Sequence, residues 1–174
     1  MIMTVQEVRD YVNTTETDQG VAVRLRSLET LIRKYTNNTF QARNFRTECN
    51  IEGGKLRFAS GLFAVGDTVQ ISESDYNEGL YTITNISGSL VEVDGRLYDE
   101  KAVLVTKVVY PDDVKMGVVN MLKWDLENRD KVGITSETIS RHSVTYESMN
   151  GENAIIGYPK SLVGFLKPYI KARF

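Results

Sequence analysis

With one cysteine, one histidine and no long apolar run, the chain is short of most side chains and segments that announce a chemistry or a membrane. Cys49 stands alone, so no disulfide can close within the chain, which agrees with a reducing compartment. His142 and Cys49 lie far apart in sequence and cannot form the clustered nitrogen and sulfur ligands of the usual zinc sites. No calcium-loop pattern is present either. No stretch reaches the roughly 18 apolar residues that a membrane helix needs. The opening Met1-Ile2-Met3-Thr4-Val5-Gln6-Glu7 is too polar for the apolar core of a signal peptide. The chain is therefore expected to act where it is made, in a cytoplasm or in something assembled there. A basic excess is also missing. The formal net charge of −2 gives no general reason to expect nucleic-acid binding.

What remains is ordinary for a globular chain. At 174 residues, 41% hydrophobic and 25% charged, it has room for one domain, or one domain with a small insertion. Thr4-Val5-Gln6-Glu7 has the form of a capping box and predicts a short helix to about Val12, with Val5, Val8 and Val12 on one face. The polar turn from Asn13 to Asp18 separates it from a longer helix. There Val21, Leu25, Leu28, Leu31, Ile32 and Tyr35 recur at spacings of three and four, and Asn37-Asn38-Thr39 ends the run.

From Phe58 to Tyr110 the period changes. Val69 and Ile71, then Tyr81 and Ile83, then Leu90, Val91 and Val93 form short apolar runs, followed by the denser Ala102-Val103-Leu104-Val105 and Val108-Val109. Gly66-Asp67, Asn77-Glu78-Gly79, Ser87-Gly88 and Asp94-Gly95 punctuate them. Short strands with tight turns at even spacing predict a small antiparallel barrel. Pro111-Asp112-Asp113 then opens a helix, since proline suits the first helical position and the helix dipole favours acids there. Its buried face is Val114, Val118, Val119, Leu122 and Leu126, and Lys131 and Gly133 are its C-terminal signals. Glu137 to Tyr146 alternates weakly, as an extended hairpin or loop does. A last helix starts near Pro159 with Leu162, Val163, Phe165 and Leu166, and Pro168 should kink or end it.

The expected architecture is α+β. Residues 1–57 and 111–174 form a helical bundle, and residues 58–110 form a small antiparallel SH3-like β-barrel inserted between its second and third helices. An insertion whose ends lie close together costs a helical scaffold little.

Residues for catalysis are hard to find. Ser136, Ser140 and Ser143 lie near His142, but no nucleophile elbow or oxyanion loop accompanies them, and an exposed loop histidine explains His142 as well. Gly53-Gly54-Lys55 lacks the outer glycine spacing and following Ser or Thr of a phosphate loop, and reads as a loop into the barrel. Asp67 reads as a turn residue, and Asp112 and Asp113 as helix-start residues. No catalytic residue, metal or cofactor is expected. Charge is more informative. Residues 60–113 hold ten acids and three bases, a balance of −7, whereas beyond Glu152 there are only Lys160, Lys167, Lys171 and Arg173. A solvated barrel and a basic helix end would explain this, and so would two surfaces meant for different neighbours.

Two segments combine the features of a partner interface. Ile134 to Tyr146 is polar, follows Gly133 and can order on a partner, with Ile134, Ser136, Glu137, Ile139, His142 and Tyr146 as candidate contacts. The end of the chain sets Leu166, Tyr169, Ile170 and Phe174 beside Lys167, Lys171 and Arg173. The same apolar residues at helical spacing would also complete a bundle.

Several stretches in order resemble the head–tail connector proteins of tailed bacteriophages. They are Tyr110-Pro111-Asp112-Asp113-Val114-Lys115 with its helix through Trp124, Gly133-Ile134-Thr135-Ser136-Glu137-Thr138-Ile139, Val144-Thr145-Tyr146, and Gly157-Tyr158-Pro159 through Leu166-Lys167-Pro168-Tyr169 with Lys171 and Arg173. The segments Phe63 to Ile71 and Asn77 to Ile83 are similar to a barrel insertion of some members. The resemblance covers most of the chain, and the order of the motifs carries it. It implies a non-enzymatic virion protein, an adaptor docked beneath the portal protein as a ring, a dodecamer. The ring would offer a platform to a stopper or tail-completion protein while viral DNA passes through its centre. The place of action would be the head–tail interface of the virion, and the host cytoplasm during assembly, with no membrane involved. The main rival is a small-barrel nucleic-acid-binding module, which the −7 balance opposes because phosphate contacts dominate such binding. A cell-wall hydrolase with a targeting barrel is the second rival and lacks its catalytic groups.

Overall fold

Period-two and period-three-to-four patterns dictate different elements, and the computed structural model contains both. It describes residues 1–59, 61–128, 136–139, 142–145 and 152–172. Helix and strand are mixed, and the chain divides into two compact units. One comprises Met1–Thr4 and Thr39–Tyr110, the other Val5–Asn38 and Pro111–Phe174.

The first unit is a closed antiparallel barrel of six strands, β1 (Gln41–Glu52), β2 (Lys55–Arg57), β3 (Thr68–Ser72), β4 (Gly79–Ser87), β5 (Leu90–Val93) and β6 (Glu100–Val108). Around the barrel the order is β1-β2-β5-β4-β3-β6, and β6 pairs back onto β1 from Gln41 opposite Val108 to Ile51 opposite Glu100. Closure leaves no open sheet edge. Alternate residues point inward, so Cys49, Ile51, Leu56, Val69, Ile71, Ile83, Val91, Val103 and Val105 fill the centre, with Phe58, Phe63 and Leu97 completing the core. Each fully buried Val, Leu, Ile or Phe contributes about 1.5–3 kcal/mol. Phe58 and Phe63 meet edge to face with ring centroids 4.9 Å apart.

The barrel begins earlier than Phe58, where the alternating pattern places its start. The stretch 41–57, assigned by sequence to the helical part, supplies β1 and β2. The reason lies in β1. Only Cys49 and Ile51 of its twelve residues are buried, so its first eight, polar apart from Ala42 and Phe45, show no alternating buried face and the pairing with β6 defines them. Gly53 and Gly54 join β1 to β2 with φ of 60° and 74°, the positive values that a two-residue hairpin turn requires. Lys55 follows the turn and pairs with Glu92 at 2.7 Å across the barrel surface. Asp67 is a turn residue as expected: its carboxylate accepts from the Ala64 amide at 2.8 Å, and it also pairs with Lys107 at 2.6 Å.

The second unit contains α1 (Val5–Arg9), α2 (Asp18–Thr36), α3 (Asp112–Asn128), two short hairpins, α4 (Lys160–Val163) and a 3-10 helix over Gly164–Tyr169. Thr17 caps α2 by accepting from the Gly20 amide, and Asn37 ends it in the left-handed region at φ 49°. Val21, Leu25, Leu28 and Ile32 are buried along α2, and Val114, Val118, Val119, Met121 and Leu122 along α3. The two helices touch each other, and both touch the 3-10 helix. Gly117 allows one of these contacts: a Cβ there would overlap the Phe165 ring. Trp124 and Tyr158 pack at 5.4 Å, and the Tyr158 hydroxyl donates to the buried Asp125 at 2.7 Å. The terminal helix is shorter than its apolar pattern implies. It tightens to 3-10 geometry at Gly164, and Pro168 sits within that last stretch. Lys131 and Gly133, the expected stop of α3, lie outside the described residues. No helix among the described residues is long and apolar enough to cross a membrane.

Candidate functional site

Of the polar segment after α3, Ser136, Glu137 and Ile139 lie on β7 (Ser136–Ile139) and His142 begins β8 (His142–Thr145). The strands pair antiparallel, with Ser136 opposite Thr145, Glu137 opposite Val144 and Ile139 opposite His142. Ile134 and Tyr146 lie outside the described residues. Of the hairpin or loop expected here, the structure has paired strands, and they make His142 a strand residue rather than a loop residue.

The C-terminal candidates separate into three groups. Leu166 is fully buried and serves the core of its own unit. This corrects its assignment as a partner contact, because a side chain with no surface has none to offer. The second group is tied back onto the unit. The Tyr169 hydroxyl lies 2.7 and 2.8 Å from the carboxylate oxygens of Asp113, and the Asn38 amide donates to the Tyr169 carbonyl at 3.1 Å. The Lys171 amide donates to the Thr36 carbonyl at 2.8 Å, and the Asn37 side chain donates to the Ala172 carbonyl at 2.7 Å. The backbone of residues 169–172 is thus strapped to the end of α2. The third group projects. The side chains of Lys167, Ile170 and Lys171 are exposed, Ile170 at 47%. Arg173 and Phe174 lie outside the described residues. An apolar side chain between two lysines on an anchored backbone can serve as a contact point for a partner.

One end of the barrel forms a second built surface, which the sequence pattern does not reveal. The loop 73–78 between β3 and β4 and the loop 94–99 between β5 and β6 are joined through Asn77, only 1% exposed. Its side-chain amide donates to the Tyr98 carbonyl at 3.0 Å and to Glu100 at 2.7 Å, and its oxygen accepts from the Tyr98 amide at 2.7 Å. Glu100, at the start of β6, also accepts from the Ser74 hydroxyl and the Asp75 amide. These donors, the Ser74 hydroxyl first, hold its carboxyl below the ordinary range. The Asp99 carboxylate accepts from the Gly54 amide at 3.0 Å and ties in the β1–β2 turn. This lattice presents Tyr76 at 73% exposure and Tyr98 at 51%, with the Arg96 guanidinium 5.0 Å above the Tyr98 ring.

Among the described residues, no group of three or more His, Cys, Asp or Glu could hold a metal ion, and no buried side-chain nitrogen or oxygen lacks a hydrogen-bond partner. Burial pushes the Cys49 thiol up to about 11, far from the reactive thiolate. No protein-family model and no curated protein sequence matches the chain.

Proposed function

We propose that this chain is a head–tail connector of a tailed bacteriophage, a structural adaptor with no catalytic role. It docks beneath the portal protein as a ring, a dodecamer, and offers the attachment platform to a stopper or tail-completion protein while viral DNA passes through the channel. In this reading the second unit is a helical connector bundle and the barrel is an SH3-like insertion between its second and third helices. The virion head–tail interface is its place of action.

The observation that supports the reading best is the order of elements. Two helices, a barrel, a helix, two short strand pairs and a terminal helix follow one another along the chain, in keeping with the order of helices, strands and helices read from the sequence. The strapped terminal segment adds to it. Hydrogen bonds to Thr36, Asn37 and Asn38 fix its backbone while Lys167, Ile170 and Lys171 face solvent, and a preordered contact segment loses less entropy on docking. A ring subunit needs two different side faces and two different ends, and the contrast between the acidic loops 73–78 and 94–99 of the barrel and a basic C-terminal segment is in keeping with that.

The test is binding to the portal protein encoded in the same genome, followed by negative-stain imaging. Rings on portals, with monomers or mixed oligomers in the protein alone, are expected. No binding at micromolar concentration removes the adaptor reading.

A further inference from the structure

We infer that the barrel end carrying Tyr76 and Tyr98 is a docking surface for an arginine-rich segment of a partner protein. Two features, one of shape and one of charge, define the occupant.

The first is a pair of exposed tyrosines on loops hydrogen-bonded to each other. Large aromatic side chains standing in solvent are concentrated at interaction sites. These two stand on backbone held by Asn77 and Glu100, including the Tyr76 amide, which donates to the Glu100 carboxylate. A surface that is already ordered spends little binding energy on fixing itself. One ring face is already seen to accept a guanidinium, since Arg96 lies 5.0 Å from the Tyr98 centroid. A cation over an aromatic face is attracted by the ring quadrupole, and arginine is the residue most often found there.

The second feature is the rim. Glu73, Asp75, Glu78, Asp94 and Asp99 are all exposed on these two loops, with Arg96 as the only base among loop residues 73–78 and 94–99. None of these acids is in an ion pair among the described residues. Such a rim repels phosphates, which opposes a nucleic acid. It attracts guanidinium groups, which can pair with the carboxylates while stacking on the rings. A polypeptide bearing several arginines satisfies both features together.

The experiment is fluorescence anisotropy of a labelled nona-arginine peptide with the full chain at physiological salt, beside labelled nona-glutamate and single-stranded oligothymidine. The chain should bind nona-arginine in preference to both. Tyr76→Ala with Tyr98→Ala, which leaves the charge unchanged, should weaken binding about ten-fold. Glu73→Gln with Glu78→Gln should also weaken it, whereas Asp10→Asn with Glu127→Gln, the same charge change on the other unit, should leave it within about two-fold. Circular dichroism checks that each variant keeps its fold. Wild-type affinity in the tyrosine variant, equal loss in the two neutralised variants, or a preference for oligothymidine overturns the inference.

Discussion

The Tyr169 hydroxyl donates to the carboxylate of Asp113, joining the last described turn of the chain to the first turn of α3. The sequence presents Asp113 as a helix-start acid and Tyr169 as an interface aromatic, and the two roles meet in one contact. The carboxylate, acting first through this hydrogen bond, raises the tyrosine pKa above its ordinary value. The bond therefore persists below the ordinary tyrosine pKa and is lost as pH rises through the raised one. Tyr169→Phe should loosen residues 169–172, seen as faster exchange of the Lys171 amide. Truncation after Pro168 should lower the melting temperature by about 2–4 °C and abolish portal binding. Unchanged melting would show that the strap adds nothing to stability, and retained binding would remove the segment from the interface.

Gly117 faces the Phe165 ring so closely that a methyl group would overlap it. Gly117→Ala should destabilise the second unit by about 1–3 kcal/mol, although alanine is the better helix former. Chemical denaturation checks this, and Gly117→Ala with Phe165→Leu should recover part of the loss. A stabilised single variant would mean that Phe165 moves aside freely.

Asn77 is buried with both ends of its amide in use. Asn77→Ala leaves the Tyr98 amide and carbonyl without these partners and should cost about 1–3 kcal/mol. A melting curve like that of the native chain would show that water replaces the amide.

Glu100 extends the same lattice into a pH dependence. Its depressed pKa means that its contribution is present above the ordinary carboxylate range and fades as pH falls through the lowered value. Acidification should therefore speed exchange of the Asp75 and Tyr76 amides before the barrel unfolds. Glu100→Gln should produce similar exchange at neutral pH, and equally protected amides in that variant would disprove the dependence.

Cys49 should resist a thiol reagent until the barrel opens, because it is buried and remains a neutral thiol well above neutral pH. Since burial raises its pKa from 9.0 to about 11, the stability it lends is complete below the lower value and lost as pH rises through that window. Rapid labelling of the native protein at neutral pH would contradict this.

Elements whose signals are local can be read from neighbouring residues. The polar turn ending at Asp18 and the spacing of Val21, Leu25, Leu28 and Ile32 define α2 without reference to the rest of the chain, because helical periodicity acts within a few residues. Pro111-Asp112-Asp113 marks the start of α3 in the same way, and alternating apolar residues mark the later strands. Other features depend on partners distant in sequence and emerge only on packing. Most of β1 is polar, and it is a strand because β6 lies beside it. Leu166 and Ile170 look alike as apolar residues of one terminal helix, yet packing buries the first and leaves the second in solvent. Tyr76 and Tyr98 are separated by some twenty residues, and hydrogen bonds through Asn77 and Glu100 join their loops at one end of the barrel. Local propensity needs only neighbouring residues, whereas burial and loop-to-loop hydrogen bonding exist only once the chain has closed on itself.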